Sequence, residues 1–388
     1  MQVTMSPRRR QRPISPVPPR GAGIELGGPA ATTVVIAVVA VLARVAFVHD
    51  PPSPDEGGYL VVARNWSDGG PFSYGYLFVD RPPVLLLVFR LASLLGGITP
   101  LRWIGCAGVV VAVVAAGWAG VCLGGRRGAR WAALVAAALM TTPMLGAHEV
   151  DGELIAAPLV LLSCACLLQG LRRLEGANAA AWAGAAGLTG TLALLVKQNF
   201  VDALAFGVVV LAAAMITRRV SPRQIAASAA GYLTGMLLPI AAVLVWATTR
   251  GPGIGSLLYA TYGFRSDATH TLLSYSFAAP GKRLHELAGV ALLSGIVMFA
   301  ALFVARLVAR SPRAPEALGV AAMFVTSSAG VLLGLSYWMH YLIQLVPAVA
   351  LASASLSREQ GRTVQIARIA VVYVVLTSLV STGLVLFT

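Results

Sequence analysis

Long apolar runs separated by short polar stretches dominate this chain. Runs of membrane length sit near 29–48, 103–124, 131–147, 154–170, 179–196, 200–216, 225–248, 287–305, 317–336, 341–356 and 364–387, eleven in all. A helix rises about 1.5 Å per residue and bilayer hydrocarbon is roughly 30 Å thick, so runs of this kind predict membrane-crossing helices. The expected fold class is an all-α integral membrane protein, a polytopic bundle of about eleven transmembrane helices. One shorter segment, Val84 to Gly97, is interrupted by Arg90 and falls short of the ~20 residues a span needs.

Charge decides how that segment lies. Apolar residues make up 57% of the 388 and charged residues 11%, a mix far from that of a soluble domain. The net charge of +14 is carried mostly by Arg, with Lys only at Lys197 and Lys282. Arginines cluster at Arg8 to Arg20, Arg126 to Arg130, Arg172-Arg173, Arg218 to Arg223, Arg306 to Arg313 and Arg358 to Arg368. If Val84 to Gly97 does not cross, every cluster falls on the side of the N-terminus; if it crosses, the later ones move outside, against the positive-inside rule. The segment is therefore expected as an interfacial helix on the outer face, in a cell-membrane protein with a cytoplasmic N-terminus. Basic loops spaced in this way orient a membrane protein; they do not indicate a nucleic-acid partner.

That topology gives one polytopic membrane domain over 29–388, with long outer loops at about 49–102 and 249–286. Residues 1–28, rich in Arg, Pro and Gly, read as a disordered basic cytoplasmic tail before an uncleaved signal anchor. Cys106, Cys122, Cys164 and Cys166 all lie inside apolar runs and form no disulfide framework.

Most acidic residues gather at the outer face. Pro54-Asp55-Glu56 follows the first run and opens a helix expected to Trp66, whose N-terminus would hold a carboxylate oriented and ionised. A second cluster, His148-Glu149-Val150-Asp151-Gly152-Glu153, falls on a short outer turn facing the same compartment. Asp80-Arg81-Pro82-Pro83 would hold a guanidinium at headgroup depth, where lipid phosphates lie. An acid beside a phosphate-binding cation suits transfer from a lipid-linked donor. Asp55 or Glu56 would deprotonate an acceptor hydroxyl while Arg81, with a possible divalent cation on Asp80 and Asp151, stabilises the departing phosphate. Lys197-Gln198-Asn199 forms a polar junction between two apolar runs, and His340 stands out of the aromatic stretch Tyr337 to Tyr341. The second outer loop adds Arg265, Asp267, His270, Lys282, Arg283 and His285, a mixture able to grip phosphate or sugar. Arg44, near the outer end of the first run, is expected to snorkel outward or pair with a first-loop carboxylate.

These elements, in this order over most of residues 29–356, resemble the GT-C glycosyltransferases that use polyprenyl-phosphate sugars. That group includes the protein O-mannosyltransferases and the lipid A aminoarabinose transferase. The resemblance implies that Asp55 takes the place of the catalytic carboxylate, and Asp80-Arg81 that of the acid and cation beside the lipid phosphate. It places Asp151 as the acid of the second outer turn, with Glu149 and Glu153 as alternatives, and Lys197 and His340 with Arg81 near the donor phosphate. Gln198 stands where the family usually has Gly. The implied reaction is inverting transfer of one sugar from a polyprenyl-phosphate donor to an extracytoplasmic glycan, lipid or protein acceptor. Two other readings are a transporter or flippase and an envelope polymerase or ligase taking diphosphate-linked glycans. The first would place carboxylates near the bilayer midplane and often show repeated halves.

Overall fold

The computed structural model describes residues 28–172, 176–310 and 314–387, so the expected N-terminal tail lies outside the described residues apart from Gly28. Among the described residues fifteen α-helices follow one another. They are α1 (Pro29–Val45), α2 (Pro54–Arg64), α3 (Pro83–Leu94), α4 (Ile98–Leu139), α5 (Gly152–Arg172), α6 (Gly176–Val196), α7 (Asp202–Ile216) and α8 (Pro222–Thr249), then α9 (Ile254–Leu258), α10 (Phe264–Ser274), α11 (Ala278–Leu293), α12 (Ile296–Arg310), α13 (Pro315–Leu332), α14 (Val346–Leu356) and α15 (Arg362–Phe387). Among the described residues the extended backbone pairs only as an isolated bridge between Phe72 and Gly75.

Each expected apolar run falls largely in helix, though not as eleven independent spans. Among the described residues seven helices are long and apolar enough to cross a membrane, or eight if the pair Ala278–Leu293 and Ile296–Ala309, bent by 67°, counts as one. The chain is a multi-pass membrane protein. α4 contains two of the runs: Gly125 (φ 62°, ψ −150°) breaks its 42 residues, and the two arms pack so closely that a Cβ on Gly120 would lie 2.5 Å from the Gly128 carbonyl. Only glycine fits that hairpin. α1 and α7, at 17 and 15 residues, are shorter than these spans.

Small residues set the helix packing. A Cβ on Gly235 of α8 would lie 2.0 Å from the Gly184 carbonyl of α6, so these helices touch backbone to backbone, as membrane helices do where small side chains face each other. α14 is the centre of the bundle: every residue in it is buried, against α4, α12, α13 and α15. The exposed leucines and valines of α8 and α15 form a perimeter suited to lipid.

One end of the bundle carries the loops. α2 starts on a capping box, with Ser53 Oγ accepting from the Glu56 amide and Glu56 accepting from the Ser53 amide, and Pro54 pre-sets the first turn. α3 starts at Pro83 and is 12 residues long, about 18 Å, too short to cross unaided. Its Leu87, Leu91 and Leu94 form an exposed stripe at helical spacing. This agrees with the expected interfacial helix.

Candidate active site

Four segments meet at the loop end: the start of α2, the turn before α5, the Lys197-Gln198-Asn199 junction between α6 and α7, and the 3₁₀ segment Met339–Leu345 that leads into α14.

Glu56, expected beside Asp55 as an active carboxylate, is instead a brace. It is 0% exposed and makes a 2.7 Å ion pair with Arg102, itself 2% exposed. Its Oε1 accepts from the Val150 amide at 2.7 Å, and its Oε2 also accepts from the Ser53 amide at 2.9 Å. Arg102 donates to the His148 carbonyl at 2.6 Å, and Arg44 to the His148 and Glu149 carbonyls at 3.3 and 3.4 Å. Buried charges of opposite sign, joined by an ion pair and hydrogen bonds, thereby tie the start of α2 to the turn before α5. Arg44 neither snorkels outward nor pairs with a first-loop carboxylate: it is buried and serves the second turn. Arg102 is the residue that sequence reasoning missed. Its only signal is an arginine at the lip of an apolar run, where burial demands a partner.

Asp55, one residue before this brace, makes no hydrogen bond or ion pair among the described residues and is half-buried. Its charge acts on Tyr59, Asp151 and His340, which places it beside the second turn. Asp151 is buried; its Oδ1 accepts from the Leu154 amide at 2.9 Å and caps α5, while Oδ2 has no hydrogen-bond partner. Burial, and then the neighbouring Glu153, push the Asp151 carboxyl well above the usual carboxylate range. His340 Nδ1 lies 3.6 Å from Asp151 and Nε2 lies 4.0 Å from Glu153. Asp151, Glu153 and His340 each offer one ligand atom, all within 4.8 Å of one another. Glu149 sits at the edge, half-exposed and 3.8 Å from His148, with its carboxyl raised by partial burial and by Glu56.

Lys197 closes the other side of this cluster. Its ammonium pairs with Glu153 and lies 4.5 Å from the Tyr341 ring centroid. Gly152 gives it room, since a Cβ there would approach Lys197 Cδ to 3.2 Å. Asp80, expected to share a metal with Asp151, is held differently, between Arg81 at 2.7 Å and Arg265 at 2.6 Å. With both oxygens taken by guanidiniums it joins the two long loops. Gln198 reinforces that junction by donating to the Asp80 and Thr261 carbonyls. Arg81 is nearly buried, its guanidinium 5.6 Å from the Tyr59 ring centroid.

Lys197 and Arg265 also line a cavity of 380 Å³ whose remaining wall is largely apolar, including Val201, Leu272, Ala329, Leu333 and Tyr341. Beneath it Asp202 is fully buried. It accepts from Ser327 at 2.7 Å and from Thr326 and Gln344 at 3.0 Å. Gln344 in turn accepts from the Asn199 side chain at 2.8 Å, so one network holds the Lys197 junction against the segment that carries His340 and Tyr341. Gln344 was invisible in the sequence because nothing in its neighbours distinguishes it. Of the charged second-loop residues Arg265 lines the cavity; Asp267 bonds Tyr259, Lys282 pairs with Glu286, and Arg283 lies over Trp338.

The site thus offers an unpaired carboxylate, a buried acid and imidazole, and two cations at the mouth of an apolar cavity. No protein-family model and no curated protein sequence matches the chain. Solved structures do. ArnT from Cupriavidus metallidurans, bound to undecaprenyl phosphate, aligns at 20% identity and TM-score 0.57 over 87% of this chain and 62% of its own. The Archaeoglobus fulgidus oligosaccharyltransferase tethered to an acceptor peptide aligns at 13% identity and TM-score 0.53 over 91% and 55%. Arabinosyltransferase EmbB from Mycobacterium smegmatis aligns at 16% and 0.53 over 83% and 30%. The chain therefore spans less than two thirds of the length of each of these proteins. Three different glycosyltransferases share its helix arrangement, and the chain is similar to them in fold.

Proposed function

We propose that the protein is a membrane glycosyltransferase. It moves one glycosyl unit from a polyprenyl-phosphate-linked donor to an extracytoplasmic acceptor, a cell-envelope glycan, lipid or protein. The observation that carries this reading is the apolar cavity with Lys197 and Arg265 at its mouth, contiguous through Glu153 and His340 with Asp151 and Asp55. An isoprenoid tail matches the apolar wall and a phosphate matches the cations, while the carboxylates stand where the anomeric carbon and acceptor would meet.

In this proposal Asp55 is the base. It is the site's carboxylate without a hydrogen bond or ion pair, so its lone pairs are available to an acceptor hydroxyl. The hydroxyl oxygen attacks the anomeric carbon, its proton passes to Asp55, and the bond from that carbon to the phosphate oxygen breaks in the same displacement. One displacement inverts the anomeric centre. Arg265 holds the phosphate of the bound donor, and Lys197, with Arg81 behind Asp80, stabilises the charge that grows on that phosphate as it departs. Glu56 and Arg102 keep the turns in place and take no proton.

Asp151, Glu153 and His340 suit a divalent cation, because Asp151 Oδ2 is buried without a hydrogen bond and an imidazole faces it. A cation there would add positive charge near the leaving group, with Lys197 released from Glu153 toward the phosphate. The reading is tested with membranes containing the protein and radiolabelled polyprenyl-phosphate sugars. Label should pass to an envelope acceptor from the lipid-linked donor, and no transfer from any such donor would overturn the proposal.

A further inference from the structure

A second hollow, of 330 Å³, opens at the far end of α2, and the proposed transfer makes no use of it. Its walls include Trp66, Asp68, Leu87, Arg90, Trp246 and Arg250. Asp55 starts α2 and Trp66 lies just past its end, about 16 Å along the axis, so the hollow is separate from the carboxylate cluster.

Its chemistry suits a phosphate. Arg90 donates to the Trp66 carbonyl at 2.9 Å and its guanidinium carbon lies 5.3 Å from the Trp66 ring centroid, so the cation is aimed while most of its donors stay available. Arg250 is 75% exposed and held only at 3.9 Å from the exposed Asp68. Two guanidiniums against one carboxylate leave one net positive charge, the complement of a phosphodiester monoanion. Trp66 packs edge-on to Trp246 at 5.7 Å, and Tyr74 stacks on Trp246, an aromatic group of the kind that sits at a membrane–water interface. Leu87, on the wall, begins the exposed stripe of α3 that continues through Leu91 and Leu94, at 53%, 52% and 78% exposure. A headgroup in the hollow would have its chains laid along these leucines.

We infer that Arg90 and Arg250, framed by Trp66 and Trp246, bind the phosphodiester of an anionic membrane phospholipid whose acyl chains run down the exposed face of α3. This lipid is bound in addition to any donor and at a different place. The site would fix α3, and with it the Asp80-Arg81 segment that enters it, at the level of the headgroups.

The test is native mass spectrometry of the purified full chain in detergent, titrated with dioleoyl phosphatidylglycerol or dioleoyl phosphatidylcholine. Wild type should retain one phosphatidylglycerol in preference to phosphatidylcholine. Arg250→Gln, a surface change that leaves the fold alone, should weaken that retention about tenfold, the loss expected for one charge-assisted contact. Arg90→Gln/Arg250→Gln should abolish the preference. Equal retention of the two lipids by wild type, or unchanged preference in Arg250→Gln, would overturn the inference. Glycerophosphoglycerol, the headgroup without chains, separates the two sources of phosphate: failure to displace the lipid at equal concentration supports a membrane lipid, and full displacement would contradict it.

Discussion

Asp55 and Asp151 illustrate how neighbouring carboxylates take different parts through their surroundings. Asp55 is half-buried and unpaired, whereas Asp151 is enclosed, caps α5 through one oxygen and leaves the other without a donor. Because burial and Glu153 raise the Asp151 carboxyl, the folded state binds its proton more tightly than the unfolded chain does. Its contribution to stability is then fully present below the unfolded value of about 3.9 and is lost as pH rises toward the raised folded value. Asp151→Asn keeps an oxygen for the cap and removes the titration. Its thermal stability in detergent relative to wild type should therefore increase with pH from 4 to 8, and a difference that is flat across that range would contradict the burial argument. The sequence made Asp55 and Asp151 legible, because acids at membrane ends are rare enough to stand out. Arg102 and Gln344 were not, since a buried ion pair or amide network is made by residues distant along the chain and leaves no local pattern.

At the scale of elements, the brace from Glu56 to Arg102 explains how α2, α4 and the turn before α5 keep their positions without a disulfide or a strand. Glu56→Gln should cost about 3–5 kcal/mol in stability, because it strands the Arg102 guanidinium in the interior. The double variant Glu56→Gln/Arg102→Met should recover part of that loss, as seen in thermal unfolding of all four members of the cycle. Additive losses would mean that the two side chains are not coupled. The apolar runs located the helices well, and the short segment before Gly97 was separable from the spans by its length and the charge pattern. What the runs do not encode is that two of them join through a glycine hairpin at Gly125, or that Arg265 crosses between the long loops to reach Asp80. Hydropathy reports how apolar a segment is, and both of these features depend on backbone direction and long-range contact.

The whole molecule is a helix bundle that opens an apolar cavity beside a set of charges at one end. Arg265 is at the cavity mouth and half-exposed, so Arg265→Gln should fold normally and weaken a phosphate contact made by the donor both before and during transfer. The expectation is a rise of about tenfold in the KM for a polyprenyl-phosphate sugar with a much smaller change in kcat. A fall in kcat alone would move Arg265 from donor binding to stabilisation of the leaving charge. The most direct test of the central claim is sugar transfer by purified protein in lipid, wild type against Asp55→Asn, with folding checked by thermal unfolding. The account predicts that the isosteric variant folds, retains donor binding and loses at least about 100-fold in transfer rate, the scale of a general base. A folded Asp55→Asn protein transferring sugar at the wild-type rate would contradict it.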